Sequence, residues 1–124
     1  MIYREPLPED CPPTEAEEVV TTRVVFRLVR SNPPTADDFR SQRAERPNAV
    51  FNVNECQARG LSVYANRLDC DKTLKLPRFR KHYVCKVVLD EGAGRIQQTG
   101  QPSHHTWWPL AAFDILIRCG VEPS

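Results

Sequence analysis

The sequence predicts an α+β fold, in which one domain holds a mainly antiparallel sheet of five to six strands and two to three short helices. A length of 124 residues with 40% hydrophobic residues suits one domain with a modest core. Residues 19–30 are rich in β-branched side chains, which favours a strand. Residues 81–90 alternate between apolar and other side chains, so one strand face carries Tyr83, Cys85, Val87 and Leu89.

Residues 1–18 are predicted to form an acidic, proline-rich arm outside the domain of residues 19–124. The arm holds four prolines and six acidic residues against Arg4 alone, so its net charge is −5. The rest of the chain is therefore +6, an excess that suits an anionic ligand such as a nucleotide.

The first predicted strand carries an arginine among apolar residues. Its alternation places Arg27 on one face with Val25 and Val29. Such an arginine either extends its charged group to water at an edge or points inward to meet an anion.

Two helix starts follow this strand. Thr35 and Asp38 form a variant of the capping box ahead of a helix at about residues 36–45. Asn54 can cap a single helical turn, which Gly60 then ends as a C-terminal glycine.

The remaining elements follow in order. Residues 60–64 predict a short strand and residues 66–76 a helix. The glycine-rich turn at residues 90–94 predicts a hairpin into residues 95–99. Residues 113–121 alternate and predict a closing strand.

The cysteine pattern points away from a metal site or a disulfide framework. Five cysteines form an odd set with no C-x-x-C pair. His82 and Cys85 would lie on opposite faces of a strand, and adjacent His104 and His105 would also point apart if extended. We therefore expect no metal, although a composite site from distant segments stays open.

No stretch is long and apolar enough for a membrane span, and the first residues do not resemble a secretion signal. The sequence predicts a soluble cytoplasmic protein without membrane contact.

The segment S-H-H-T-W-W-P at residues 103–109 is the densest group of chemically capable side chains. His104 or His105 can act as general acid or base near neutral pH. Trp107 and Trp108 can form a flat wall for a base or a nicotinamide ring. Alternatively, one tryptophan fills the core, its neighbour covers a sheet edge, and the histidines lie on a loop without a functional role.

The order of elements is similar to the compact bacterial ADP-ribosyltransferase-like fold, which includes the small toxins of toxin–antitoxin pairs. The pieces are V-F-R-L-V-R, a short helix, G-L-S-V-Y, a second helix, H-Y-V-C-K-V-V-L and a later histidine segment. The resemblance implies a split sheet with an NAD cleft between its halves. It also implies that Arg27 holds the dinucleotide, and that Ser62 is the serine of the second motif, with Tyr64 beside it.

The chain departs from that family where most active members carry a glutamate on a late strand. Here the late segment offers histidines and Asp114. Either a histidine takes over part of the glutamate's role, or the site binds without catalysis. The expected catalytic residues are His105, His104 and Ser62, and the expected cofactor-binding residues are Arg27, Tyr64, Trp107 and Trp108.

Two other functions stay open. The first is a non-catalytic interaction module, such as an antitoxin-like or adaptor subunit, that contacts a protein partner. The second is RNA binding by residues 75–86, where five basic residues interleave with Phe79 and Tyr83. The favoured interpretation of that stretch is a solvated strand entrance whose aromatic residues belong to the core.

Overall fold

The structure, a computed structural model, describes residues 1–100 and 102–123. One sheet forms its centre, and every pairing in it is antiparallel. The strands in chain order are β1 (Glu17–Glu18), β2 (Arg23–Val29), β3 (Leu61–Tyr64), β4 (Tyr83–Leu89), β5 (Gly94–Gln98), β6 (His104–Pro109) and β7 (Cys119–Val121).

The helices are short. The α-helices are α1 (Gln42–Glu45), α2 (Glu55–Ala58) and α3 (Arg67–Leu74). Three 3-10 turns span Ala36–Phe39, Pro77–Phe79 and Ile115–Arg118. The predicted Asn54 cap is present, because the Asn54 carboxamide accepts the Gln57 N–H at 2.8 Å. Asn66, which was not predicted as a cap, accepts the Leu68 N–H at 2.9 Å.

The sheet order is β1-β5-β6-β3-β2-β4-β7. The predicted α+β class and mainly antiparallel sheet are confirmed. The predicted count of five to six strands is wrong, because the described residues hold seven. The unexpected strand is β1, which pairs its two residues with Ile96 and Arg95 and is too short for alternation to reveal.

A weak seam divides the sheet between β2 and β3. A single residue pair, Phe26 with Tyr64, joins these two strands. On either side the pairing is longer, with seven pairs between β2 and β4 and four between β3 and β6. The sheet therefore consists of one half made of β1-β5-β6-β3 and another made of β2-β4-β7.

The buried core lies on the alternating positions of the inner strands. Val25 and Val29 of β2 are 0% and 1% exposed, and Val87 and Leu89 of β4 are fully buried. Tyr83 was expected on this core face but is 41% exposed, because it is the first residue of its strand and lies beyond the packed region.

The predicted hairpin at residues 90–94 is wrong. β4 pairs with β2 and β7, whereas β5 pairs with β1 and β6. The turn, in which Gly92 and Gly94 have φ of 89° and 115°, instead carries the chain from one half of the sheet to the other. Turn residues show that the chain reverses, but they do not specify the strand with which it then pairs.

Two other elements differ from their predicted form. The helix expected at residues 36–45 is interrupted at Arg40, which is extended, and Ser41 caps α1. The closing strand expected at residues 113–121 begins as the turn Ile115–Arg118, so Ile117 is 75% exposed. Short apolar runs fit several backbone conformations, and tertiary packing selects one.

Residues 1–18 run along the domain. The Arg4 N–H donates to the Pro109 carbonyl at 2.9 Å, and the Glu5 carboxylate accepts from the Ser41 backbone and hydroxyl. A disulfide joins Cys11 to Cys56, with 5.6 Å between their Cα atoms. The cysteine pattern did not indicate this bond, because two cysteines 45 residues apart leave no local signature.

Among the described residues, the helices are all too short or too polar to cross a bilayer.

Candidate functional site

A cleft of about 760 Å³ lies at the seam between the two halves of the sheet. β2 contributes Arg27, β3 contributes Ser62 and Tyr64, and β6 contributes His104 and Thr106. The cleft therefore collects polar side chains from three chain segments that are distant in sequence.

The pairing of β3 with β6 determines which side chains face the cleft. Ser62 lies opposite Thr106, and Tyr64 lies opposite His104. Because side chains alternate along a strand and directly paired residues share a face, these four point to the same side. The Ser62 hydroxyl hydrogen-bonds to His104 Nε2, and the Tyr64 ring meets the His104 ring edge-on with centroids 5.3 Å apart.

A second contact orients the His104 ring. His104 Nδ1 lies 2.9 Å from the Thr99 hydroxyl, which is 2.8 Å from the Thr106 hydroxyl. This network fits the tautomer in which Nδ1–H donates to Thr99 and Nε2 accepts from Ser62. Burial lowers the pKa of His104 below its ordinary 6.5, and the nearby His105 lowers it further. The imidazole is thus neutral at pH 7, with Nε2 available as a base.

Arg27 connects the two halves of the sheet. Its Nη1 donates to the Ser62 carbonyl across the seam at 2.8 Å. Nε and Nη2 donate to the carbonyls of Asp38 and Arg40 at 2.9 and 3.2 Å. A guanidinium has five N–H groups, so two are left without a described partner. Burial lowers the pKa of Arg27 to about 10, so the group stays cationic at neutral pH.

The cleft is lined by more cationic than anionic side chains. The arginines are Arg27, Arg30, Arg40, Arg46 and Arg78, and the acids are Asp37, Asp38 and Glu45.

Two of those acids are already engaged by other groups. The Asp38 carboxylate accepts hydrogen bonds from the backbone N–H groups of Arg30 and Thr35, at 2.7 and 2.9 Å. Glu45 forms an ion pair with Arg30 at 3.2 Å. These acids hold the cleft wall together, and the remaining arginines give the cavity a positive lining that suits an anionic ligand.

The structure brings together four of the predicted site residues, Arg27, Ser62, Tyr64 and His104. His105 follows the alternation of β6 and does not line the cleft; its Nδ1 lies 2.7 Å from the Ser103 carbonyl oxygen.

Trp107 and Trp108 lie in the interior instead of forming a wall of the cleft. They are 0% and 1% exposed. Their indole N–H groups donate to the carbonyls of Ala93 and Cys56 at 3.0 and 2.9 Å. Both faces of β6 are covered at this point, so neither ring is available to a ligand. Tyr64 is the aromatic side chain that contacts His104 in the cleft.

Two threonines near His104, Thr99 and Thr106, were not predicted as site residues. Thr106 shares the alternation of His104, so the strand pattern alone was sufficient to place it on the same face. Thr99 reaches the ring across a loop between β5 and β6, and no local pattern indicates such a contact. Gly60 follows the helical turn Glu55–Ala58 as expected, and it also lies where an added Cβ would overlap Thr106 Cγ2.

The buried thiols of Cys70 and Cys85 are weak nucleophiles. Burial raises the pKa of Cys70 and of Cys85 to about 12, so both stay protonated. In the part of the chain that the structure describes, no group of three or more histidine, cysteine or acidic side chains is placed to hold a metal ion.

Comparison with known proteins gives no relative: no family model, curated protein or solved structure matches this chain. The function is therefore inferred from the cleft and its residues.

Proposed function

We propose that the cleft binds NAD and that the protein is an ADP-ribosyltransferase-like or NAD-consuming enzyme. The observation that carries this proposal is the convergence of Arg27, Ser62 and His104 at one cleft beside the seam of a divided sheet. In the resemblance drawn from the order of elements, Arg27 would hold the dinucleotide and Ser62 would be the serine of the second motif. His104 would take over part of the role of the late-strand glutamate.

The cleft has properties that suit a dinucleotide. Its volume of about 760 Å³ lies within the usual range for ligand sites, roughly 300–1,000 Å³. Arginine side chains bind phosphate through paired N–H donors, and Arg40 and Arg78 both reach this cavity. Tyr64 offers an aromatic surface beside His104 for the nicotinamide ring.

The proposed reaction breaks the bond between the nicotinamide nitrogen and C1′ of its ribose. The electron pair stays with the nitrogen, so nicotinamide leaves as a neutral molecule and positive charge develops on the ribose. Water or an acceptor hydroxyl then forms a new bond to C1′, and its proton passes to His104 Nε2. A neutral imidazole accepts this proton at pH 7, which is the role of a general base.

Ser62 has a positioning role in this reaction. The Ser62 hydroxyl donates a hydrogen bond to His104 Nε2. The lone pairs of the Ser62 oxygen can therefore accept a hydrogen bond from a ribose hydroxyl. When the acceptor proton arrives, Nε2 must release its hydrogen bond from Ser62. The Ser62 carbonyl is held by Arg27, which fixes β3 relative to β2.

The test combines calorimetric titration of NAD with a chromatographic assay of nicotinamide release. We expect saturable binding by the wild type and release of nicotinamide. His104→Ala should lower release by about 10²–10⁴-fold, the range for a general base, whereas His105→Ala, its neighbour outside the cleft, should leave it nearly unchanged.

No binding at millimolar NAD would overturn the proposal. Saturable binding without nicotinamide release would favour the alternative in which the site binds the dinucleotide without catalysis. Equal loss of release in His104→Ala and His105→Ala would contradict the assignment of the base.

A further inference from the structure

One wall of the cleft continues outward as a basic surface, which we call the basic rim and define as Lys75, Arg78, Arg80 and Lys81. All four side chains are exposed, and residues 75–81 contain no acid. The rim is continuous with the cleft, because Arg78 and the adjacent Phe79 both line the cavity.

The charges of the basic rim are not neutralised. Six arginines elsewhere in the chain form ion pairs with carboxylates, whereas no rim side chain pairs with a described carboxylate. Four uncompensated cations within seven residues create a local positive potential that attracts polyanions. The guanidinium of Arg78 lies 4.8 Å from the centre of the Phe79 ring and remains exposed.

The backbone beneath the basic rim is ordered by hydrogen bonds. The Phe79 N–H donates to the Leu76 carbonyl at 2.9 Å, and the His82 N–H donates to the Phe79 carbonyl at 2.9 Å. Pro77 begins the 3-10 turn Pro77–Phe79, and β4 follows directly. These bonds and the turn hold the backbone that carries the cations in one conformation.

Aromatic side chains lie among these cations. Tyr83, the first residue of β4, is 41% exposed although the sequence pattern assigns it to the core. Phe79 is partly exposed at the cleft wall. Exposed rings next to a line of cations are the features with which proteins bind single strands, because the cations meet phosphates and the rings stack on bases.

We infer that the basic rim binds single-stranded nucleic acid beside the cleft. This binding does not depend on the NAD proposal, so the two fail or succeed separately. An acidic protein would use the cations alone, whereas a nucleic acid strand uses the cations and the exposed ring of Tyr83. Four phosphate contacts predict a slope of about −3 in log K against log salt concentration for a single strand.

The experiment measures fluorescence anisotropy of labelled oligouridine, its deoxy counterpart and a duplex, with the 124-residue chain and no NAD. Affinity should fall by about 50–60-fold between 50 and 200 mM salt. Arg80→Gln/Lys81→Gln should weaken binding about 10-fold or more at the lower salt and reduce the slope by about 1.4. Tyr83→Ala should weaken single-strand binding without altering the slope.

The matched control is Arg23→Gln/Arg67→Gln, which removes the same charge from ion-paired sites outside the basic rim. All variants are first checked for an unchanged circular dichroism spectrum and urea midpoint. The inference is overturned if no oligonucleotide binds at 50 mM salt, if the duplex binds as tightly as the single strands, or if the control weakens binding equally. Binding of only the RNA or only the DNA oligonucleotide would support the inference and would show which nucleic acid the basic rim prefers.

Discussion

Arg27 has a structural role that is separate from its proposed role in ligand binding. Its three hydrogen bonds hold Ser62 on β3 and the backbone around residues 38–40 to the strand that carries it. An arginine's planar fork reaches these carbonyls together, whereas a lysine ammonium is a single point of contact. Position 27 of β2 therefore needs arginine, because a positive charge alone would not hold these carbonyls.

Arg27→Lys should lower the free energy of unfolding by about 2–4 kcal/mol, because at least two hydrogen bonds from a charged donor are lost. Urea denaturation measures this change. Arg23→Lys on the same strand is the control, since its ion pair with Glu17 is exposed and 3.5 Å long, and should cost less than about 1 kcal/mol. Equal costs in the two variants would contradict the role of Arg27 at the seam.

His104 should make stability depend on pH. Its pKa in the folded state is below the ordinary value of 6.5, so the unfolded chain binds a proton more readily. Its contribution to stability is complete above pH 6.5 and is lost as pH falls through the lowered folded pKa. The partly buried His82 also has a pKa lowered chiefly by desolvation, so it adds a loss of the same sign.

His104→Gln should therefore show a smaller decline in unfolding free energy below pH 6.5 than the wild type. Denaturant titrations at a series of pH values measure the decline. His105→Gln should retain most of it. A His104→Gln variant that declines as steeply as the wild type would show that the imidazole does not resist protonation in the folded protein.

At the scale of elements, the close contact between β3 and β6 depends on Gly60, which immediately precedes β3. A Cβ at this position would overlap Thr106 Cγ2 and come within 3.0 Å of Trp108 Nε1. Gly60→Ala should destabilise the protein by about 1–3 kcal/mol through overpacking. Thermal or urea unfolding measures the loss, and Gly120→Ala, where nothing lies within 4 Å, is the matched control.

A second substitution tests the cause of that loss. Thr106→Ser removes Cγ2 and keeps the hydroxyl that meets Thr99, so Gly60→Ala/Thr106→Ser should recover part of the stability. A double variant that simply adds the two losses would show that the contact with Thr106 is not the source of strain.

The elements that the sequence predicted best are the strands β2, β3 and β4. Alternation over several residues fixes which side chains share a face, and this also placed Ser62 with Tyr64 and separated His104 from His105. The partner of each strand was not predictable in this way. β5 was assigned to β4 because a turn joins them, but its actual neighbours depend on packing between distant segments.

The candidate site shows the same contrast between what strand alternation predicts and what only the folded chain reveals. Arg27 and Ser62 were identified from their strands, and their meeting at one cleft required the folded chain. Trp107 and Trp108 were assigned to a ligand because aromatic rings bind bases, yet the pattern of β6 does not reveal that both of its faces are covered there. Thr99 was missed because the contact depends on the conformation of a loop.

At the scale of the whole molecule, the disulfide closes the arm onto the domain. Cys11 and Cys56 enclose a loop of about 45 residues, which predicts a contribution of about 2–4 kcal/mol from the restricted unfolded chain. Reduction of the wild type should lower its unfolding free energy by this amount. Cys11→Ser/Cys56→Ser should have the same lower stability with or without reductant, and a wild type that is indifferent to reductant would contradict the stabilising role.

A large cleft lies between the two halves of the divided sheet. These halves meet through the Phe26–Tyr64 pair and through Arg27, while the cleft between them gathers Ser62 and His104. A ligand that contacts both halves should stabilise the folded state in proportion to its occupancy, by about 2.7 kcal/mol at a concentration 100 times its dissociation constant.

The most direct measurement is a nuclear magnetic resonance titration of NAD into protein with isotope-labelled histidine rings. The proposed site predicts that the His104 ring resonances move in a saturable way, while those of His105, outside the cleft, stay in place. In Ser62→Ala the movement should require more NAD. If the His104 resonances do not move at millimolar NAD, the cleft is not a dinucleotide site.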